Sequence, residues 1–132
     1  YHVTDACGVY DVGTAVDERI MRGQIEGGML QGIGYASMEN MESRDGMIMQ
    51  NSFTDYMVPT SLDTVRMKTC TMENPYENGP FGAKGAGELT LLGSGPALVQ
   101  AVEQAARKKF SSIPVTPEKV MADVMIQAGK EG

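Results

Sequence analysis

The clearest hydrophobic period in the chain is helical and lies in its first third. The apolar positions of this segment recur at helical spacing: Ile25, Met29, Ile33 and Ala36. A stripe of this kind is typical of a helix that buries one face against a neighbour. The pattern therefore predicts a helix over residues 24–41, although several glycines fall inside it and each costs about 1 kcal/mol relative to alanine.

Three strands are predicted. Residues 65–72 alternate strictly, which is typical of a strand with one buried face. Residues about 47–53 alternate more loosely, and residues 9–12 look like a strand that is followed by a turn at Gly13. The dipeptide Asp45-Gly46 precedes the strand at about 47–53 and is a typical hairpin turn.

Two further helices follow a long loop. One is predicted over residues 96–109, with Pro96 in its first turn, and one over residues 117–127, with Thr116 as its N-cap and Pro117 at its first position. The apolar face of the last helix consists of Val120, Met121 and Val124. Together the elements predict an α+β fold in which helices pack on one face of a small mixed sheet.

Composition narrows the class of protein. The chain has 132 residues and a net charge of −6, with 42% hydrophobic residues, which is ordinary for one globular domain. Because phosphate binding needs a basic face, a nucleic-acid partner is disfavoured. The two cysteines lie far apart and His2 is the only histidine, so neither a zinc site nor a disulfide framework is indicated.

The hydropathy of the chain bears on where the protein is located, and its first residue bears on whether the sequence is a fragment. No apolar stretch approaches the ~20 residues that a membrane span needs, and we expect a soluble, cytoplasmic protein without a membrane partner. The sequence opens at Tyr1, close to a predicted strand, and we expect it to be a fragment of a longer protein. Such a fragment leaves an apolar face uncovered, so we expect it to pair with the missing part or with another copy as a homo-oligomer.

A glycine-rich loop is the first candidate for chemistry. Residues 79–88 read GPFGAKGAGE, but a P-loop needs Gly before its lysine and Ser or Thr after it, whereas Ala83 and Gly85 flank Lys84. Small residues let backbone N–H groups approach an anionic ligand, and Lys84 and Glu88 would place charge at its edge. The alternative is a flexible surface loop with a solvated lysine and glutamate.

The second candidate is the segment GQIEGG at residues 23–28, at the predicted start of the first helix. The first N–H groups of a helix have no partner within it and attract anions or polar cofactors, and the Gln24 amide can both donate and accept. The alternative is a glycine-bearing helix packed closely against its neighbour.

These stretches occur in a fixed order along the chain. They are DVG at residues 11–13, GQIEGG at 23–28, QGIG at 31–34, VPT at 58–60, NP at 74–75, GAKGAGE at 82–88 and PVTPE at 114–118. The set resembles the C-terminal part of the molybdenum-binding subunit of the xanthine dehydrogenase and aldehyde oxidase family. Each motif alone is weak, whereas their order and spacing are specific and span nearly the whole chain. One departure is Asp17-Glu18, where the family usually has Asn-Pro.

The resemblance implies a cofactor and roles for particular residues. Residues 1–132 would form the C-terminal part of a molybdenum cofactor-binding domain, in which molybdopterin holds the metal and no protein side chain binds it. Glu88 matches the family's general base, and we expect the loop that carries it to be buried, which strengthens a carboxylate as a base. Gln24 and the backbone of Gly85, Ala86 and Gly87 match segments that contact the cofactor, and Lys84 lies beside them.

The resemblance also implies a reaction and partners. Enzymes of this family hydroxylate a purine-like N-heterocycle or an aldehyde, with water as the source of oxygen. Iron–sulfur clusters and FAD, which carry the electrons away, lie on other domains or subunits, and the rest of the molybdenum-binding subunit completes the site. The piece alone is therefore expected to be inactive, and its small-molecule substrate is not specified by these residues.

Two other interpretations remain open. A non-catalytic binding or assembly module could keep the family scaffold and present its apolar, methionine-rich surface, with 11 methionines in the chain, to a partner subunit. A nucleotide-binding glycine loop is the third interpretation, and the failed P-loop and dinucleotide-binding spacings disfavour it.

Overall fold

Residues 1–128 are described by the structure, a computed structural model, with side chains described as far as residue 122. The elements are β1 (Asp5–Gly13), α1 (Glu18–Ser37), β2 (Ser43–Arg44), β3 (Met47–Ile48), β4 (Arg66–Glu73), α2 (Leu89–Leu92), α3 (Ser94–Ala106) and α4 (Pro117–Ala128). This combination confirms the predicted α+β class. Among these helices none has the length and apolar character required to cross a membrane.

The main sheet consists of β1 and β4, which pair in parallel with Asp5 opposite Arg66 and Tyr10 opposite Thr71. Burial alternates along both strands, so one face of this sheet is half-buried and the other is exposed. The strict alternation read from residues 65–72 thus predicted β4 correctly. The sequence did not predict that β4 pairs with β1, which lies more than fifty residues earlier in the chain.

A separate antiparallel hairpin joins β2 to β3. Its turn is the predicted Asp45-Gly46, where φ is 50° and 79°, as the tight hairpin turn with two positive φ angles requires. The predicted strand over residues 47–53 is wrong beyond Ile48, because the following residues form turns and irregular backbone. Phe53 is 84% exposed, so its position in an alternating pattern does not reflect a buried face.

Helix α1 begins six residues earlier than predicted. Asp17 caps it, since the Asp17 carboxylate accepts hydrogen bonds from the backbone N–H groups of Arg19 and Ile20, and this capping holds the pKa of Asp17 below its usual value. The helix ends at Ser37 rather than at residue 41. Its predicted apolar stripe is confirmed, and all four of its members are buried: Ile25, Met29, Ile33 and Ala36.

The core lies between α1, α3, the start of β4 and the segment before α4. Its buried members are Ile33, Ala36, Val65, Leu98, Val102 and Val115. The backbone also joins these segments, because the N–H of Val115 donates to the carbonyl of Ala36 over 2.7 Å. The core therefore holds the C-terminal part of α1 in place, whereas the first turns of this helix lie near the loop before α2.

The C-terminal helices differ from prediction mainly at their ends. α3 begins at Ser94, because the short α2 leads directly into it, and it ends at Ala106, where Arg107 adopts a left-handed φ of 52°. The predicted range 96–109 is thus shifted. α4 occupies Pro117–Ala128, close to the predicted 117–127, with Val120 half-buried and Met121 exposed. The side chain of Val124 lies outside the described residues.

Candidate functional site

The glycine-rich loop is attached near its middle to strand β1. The backbone N–H of Lys84 donates to the carbonyl of Val12, and the Lys84 Nζ forms an ion pair of 2.7 Å with Asp11 Oδ2. Each of these two side chains keeps 29% of its surface exposed. In the described structure the lysine charge is therefore directed at β1, and a contact between Lys84 and a cofactor stays a prediction.

Asp11 accepts two further hydrogen bonds at this attachment. The Asn74 Nδ2 donates to Oδ2 over 2.8 Å, and the backbone N–H of Gly13 donates to Oδ1 over 3.0 Å. The bonds from Lys84, Asn74 and Gly13 lower the pKa of Asp11 from 3.8 to about 2. One carboxylate thus ties together the end of β1, the residue after β4 and the middle of the glycine-rich loop.

The last residues of the loop are attached to helix α1 and to α2. The carbonyl of Gly87 accepts hydrogen bonds from Gln24 Nε2 over 3.1 Å and from Thr90 Oγ1 over 3.2 Å. Gln24 and Gly87 are 63 positions apart in the sequence. The structure thus brings together Gln24, Gly87 and the adjacent Glu88, which sequence reasoning had selected from two separate motifs.

One part of the expectation for residues 23–28 is wrong. This segment lies in the second and third turns of α1, because the helix begins at Glu18, and its N–H groups are not the unpaired ones of a helix start. Gln24 contributes instead through its exposed side-chain amide, which reaches across to the loop. The selected residue is at the site, but for a different physical reason.

Of the five glycines of α1, Gly34 packs against Pro59, and the other four fall into two groups. A Cβ at Gly28 would overlap the side chain of Thr90, and a Cβ at Gly32 would overlap that of Ser94, so these two positions allow α1 to pack closely on the α2–α3 segment. By contrast, no described atom lies within 4 Å of a Cβ built at Gly23 or Gly27. The close-packing alternative is correct for the first pair and does not explain the second.

The unexplained glycines line a groove of about 540 Å³ between α1 and the end of the loop. Its lining comprises Gly23, Gln24, Gly27, Gly28, Gln31, Gly87, Glu88, Thr90, Leu91 and Leu92. A Cβ at Gly85 or Gly87 would also meet no described atom within 4 Å. The groove therefore exposes backbone on both of its walls, with the Gln24 amide and the Glu88 carboxylate at its edge.

Glu88 is exposed, as are Gly85 and Gly87, so the expected burial of this loop is wrong for the described residues. Other residues that line the groove, among them Gln24 and Gly27, are exposed as well. The Glu88 carboxylate has no hydrogen-bond or ion-pair partner among the residues whose side chains the structure describes, and Glu88 itself is the residue before α2. Its carboxylate is thus free to meet a group that binds in the groove.

Sequence analysis missed three residues that hold the site. Asp11 binds Lys84 in the middle of the loop, Thr90 binds Gly87 near its end, and the Tyr10 hydroxyl donates to the carbonyl of Thr90 over 3.1 Å. Asp11 and Tyr10 stand at the C-terminal end of a predicted strand, where side chains commonly meet loops, and this position is the signal that could have identified them. Thr90 gives no such signal, because its burial depends on a glycine in another element.

Comparisons with known proteins give a consistent result. Residues 1–65 match the sequence profile of a molybdopterin cofactor-binding domain. The chain is 30% identical to one subunit of a probable xanthine dehydrogenase from Bacillus subtilis over 83% of its own length, and 33% identical to an aldehyde oxidoreductase from Megalodesulfovibrio gigas over 84%. The crystal structure of quinoline 2-oxidoreductase from Pseudomonas putida superposes on 94% of the chain, with a TM-score of 0.85 and 32% identity.

The chain is much shorter than these proteins. It spans 15% of the Bacillus subtilis protein, 12% of the aldehyde oxidoreductase and 16% of the quinoline 2-oxidoreductase chain. The matched profile includes Gln24 and ends before the glycine-rich loop, whereas the structural superposition extends over most of the chain.

Proposed function

This chain belongs to the molybdenum hydroxylase family that includes xanthine dehydrogenase and aldehyde oxidoreductase, and on that premise we propose that residues 1–132 form the C-terminal part of the molybdenum cofactor-binding domain of such an enzyme. The observation that carries the proposal is the groove in which Gln24, Gly87 and Glu88 meet. Residues from two motifs far apart in the sequence form one surface there.

The residues of the groove fit a large, flat, polar cofactor. Gly23 and Gly27 are inside a helix, where each glycine costs about 1 kcal/mol relative to alanine, and no described atom occupies the space beside them. Together with Gly85 and Gly87, where a Cβ would also meet no described atom within 4 Å, they let a ligand approach the main chain closely. Gln24 would hold the pterin through its side-chain amide, and the backbone of Gly85, Ala86 and Gly87 would pass close to it.

When bound, the molybdenum cofactor supplies the two-electron oxidation that accompanies insertion of a water-derived oxygen into the substrate. Glu88 would act as the general base beside it. Its carboxylate has no partner among the described residues, so an oxygen of Glu88 is available to accept the proton lost in this step. The neighbouring bonds to Gly87 hold the backbone next to that carboxylate in one place.

The rest of the enzyme belongs to the same proposal. The substrate is a purine-like N-heterocycle or an aldehyde, and the remaining part of the molybdenum-binding subunit covers the groove. Iron–sulfur and FAD-containing domains or subunits accept the electrons, and the complex is cytoplasmic. Because this chain spans about 15% of its relatives, it provides only part of the pocket, and we expect it to be inactive on its own.

The test is the substitution Glu88→Gln in the molybdenum-loaded protein that carries these residues. Glutamine keeps the shape of the side chain and cannot accept the proton, so we expect kcat to fall about 10²- to 10⁴-fold. The molybdenum and pterin content of the purified protein should stay unchanged. Steady-state kinetics and metal analysis on the same preparation measure both quantities.

The matched control is Glu77→Gln, which neutralises another exposed carboxylate in the same connection between β4 and α2. It should leave kcat and molybdenum content unchanged. Retention of turnover by Glu88→Gln would overturn the assignment of the base. Loss of molybdenum from Glu88→Gln would instead make Glu88 a cofactor ligand. A wild-type protein without molybdenum or turnover would favour the alternative, a non-catalytic assembly module on the family scaffold.

A further inference from the structure

Thr90 lies directly beside the proposed base and is completely buried, with 0% of its surface exposed. Its hydroxyl donates to the carbonyl of Gly87, the residue before Glu88, and its own backbone follows Glu88 by two positions. The bond therefore closes a small loop around Glu88. Any displacement of Thr90 changes the backbone on both sides of that carboxylate.

Thr90 is itself fixed by two other elements. The Tyr10 hydroxyl of β1 donates to the Thr90 carbonyl over 3.1 Å. On the opposite side, the Thr90 side chain fills the space that a Cβ of Gly28 in α1 would occupy. A polar tie to the sheet and a steric fit to the helix thus determine where Thr90 lies.

The rest of this loop end is weakly held. Gly85 and Gly87 are exposed, no described atom lies within 4 Å of a Cβ built at either position, and glycine restricts the backbone less than any other residue. The other donor to the Gly87 carbonyl, the Gln24 amide, sits on an exposed side chain. The buried hydroxyl of Thr90 is therefore the donor best placed to hold this carbonyl in one position.

We propose that Thr90 is a positioning residue that sets where the Glu88 carboxylate lies, through its hydrogen bond to Gly87 and its packing on Gly28. This inference rests on the function proposed for Glu88. It adds a residue that none of the sequence motifs contains, and it gives Gly28 a functional consequence beyond helix packing.

The chain provides a matched control four residues later. Ser94 is also buried, donates to the carbonyl three residues before it, that of Leu91, over 3.1 Å, and fills the space at Gly32. Its bond ends on Leu91, three residues after Glu88, and not on a residue next to it. Deleting the Ser94 hydroxyl removes the same type of bond, at the same type of helix contact, without touching the proposed base.

The experiment compares Thr90→Val, Thr90→Ser and Ser94→Ala in the molybdenum-loaded protein that carries these residues. For Thr90→Val we expect kcat to fall about tenfold to a hundredfold, because a misplaced catalytic group loses effective molarity, with KM and molybdenum content unchanged. Thr90→Ser keeps the hydroxyl and should restore most of kcat. Amide hydrogen exchange over residues 85–91 should rise in Thr90→Val only, and this readout is independent of activity.

Each outcome decides the proposal. Unchanged exchange in Thr90→Val, or an equal loss of kcat in Ser94→Ala, would overturn it. Faster exchange without a loss of kcat, in a protein where Glu88→Gln is inactive, would also overturn it, because the loop would then move without affecting the base. If Glu88→Gln stays active, the proposed function fails, while the exchange data still decide whether Thr90 holds the loop.

If Thr90→Val cannot be purified with molybdenum bound, Tyr10→Phe is the substitute variant. It removes only the bond to the Thr90 carbonyl, and it should lower kcat less than Thr90→Val does.

Discussion

At the scale of single residues, one carboxylate holds the middle of the glycine-rich loop against strand β1. Asp11 accepts hydrogen bonds from Gly13, Asn74 and Lys84, and these bonds lower its pKa to about 2. A carboxyl group whose pKa is lower in the folded protein stabilises the fold above its unfolded pKa. It loses this contribution as the pH falls through its folded pKa.

The Asp11 network predicts a specific pH dependence. Asp11→Asn should lower the denaturant midpoint of unfolding near neutral pH, because it removes the charged partner of Lys84. The difference from wild type should shrink below pH 3.8 and vanish below about pH 2, where the wild-type carboxyl is also neutral. Denaturant titrations of both proteins at a series of pH values measure this difference.

Coupling to Lys84 provides the control. If the two side chains act as a pair, Asp11→Asn combined with Lys84→Met should destabilise by less than the sum of the single substitutions. A difference between Asp11→Asn and wild type that persists unchanged in acid would contradict the lowered pKa of Asp11. Additive effects of the two substitutions would contradict the pairing.

At the scale of elements, helix α1 uses glycine in two ways. One glycine lets a neighbouring helix pack closely, and another leaves space at the groove. Gly28 faces Thr90 closely, whereas the adjacent Gly27 faces open space. The two neighbours point to different sides of the helix because successive residues of an α-helix are rotated by about 100°. One glycine thus lets α2 approach, and the other leaves a bare surface at the groove.

This difference predicts opposite effects of the same substitution at adjacent positions. Gly28→Ala should destabilise the protein by about 1–3 kcal/mol, because the new methyl group overlaps Thr90 and both helices must shift. Gly27→Ala should stabilise the helix by about 0.5–1 kcal/mol, since it meets no described atom and restricts the unfolded chain. Thermal unfolding of the two variants beside wild type measures both effects.

Cofactor binding separates the two positions further. If the bare face of α1 receives the cofactor, Gly27→Ala should lower the molybdenum content of the loaded protein while leaving the fold at least as stable. Equal destabilisation by both substitutions would contradict the division of the α1 glycines into two groups.

The sequence predicts elements better than it predicts their pairing. The stripe from Ile25 to Ala36 repeats often enough to define a helix and its buried face, and β4 is defined by its alternation. The start of α1 was misplaced, because Asp17 caps the helix well before the first member of the apolar stripe. The parallel pairing of β1 with β4 depends on packing between distant segments, which local periodicity does not record.

The candidate site also combines features that the sequence predicts with features that depend on packing between distant segments. Gln24 and Glu88 could be selected from motifs, because their chemistry is local to each motif. Their approach through Gly87, across 63 positions, could not be read from either motif. The role of Thr90 depends on a missing Cβ at Gly28, so it becomes visible only when both elements are placed.

At the scale of the whole molecule, one face of the main sheet is exposed in the part of the chain that the structure describes. Val9 is 69% exposed on β1, and its neighbours at alternate positions of that strand, Asp5 and Cys7, are exposed as well. Parallel sheets in proteins are usually covered on both faces. Pairing with the remainder of a larger subunit, or with a second copy, accordingly stays our expectation for this face.

The central claim is that these residues are part of a molybdenum-containing subunit, and one measurement tests it most directly. An antibody raised against residues 1–132 can isolate the particle that carries them from the native source, and its denatured chain mass and molybdenum content can be determined together. We predict a polypeptide several times larger than 14.2 kDa in a particle that contains molybdenum. A free chain of 14.2 kDa without molybdenum would contradict the claim and identify a scaffold that has lost its chemistry.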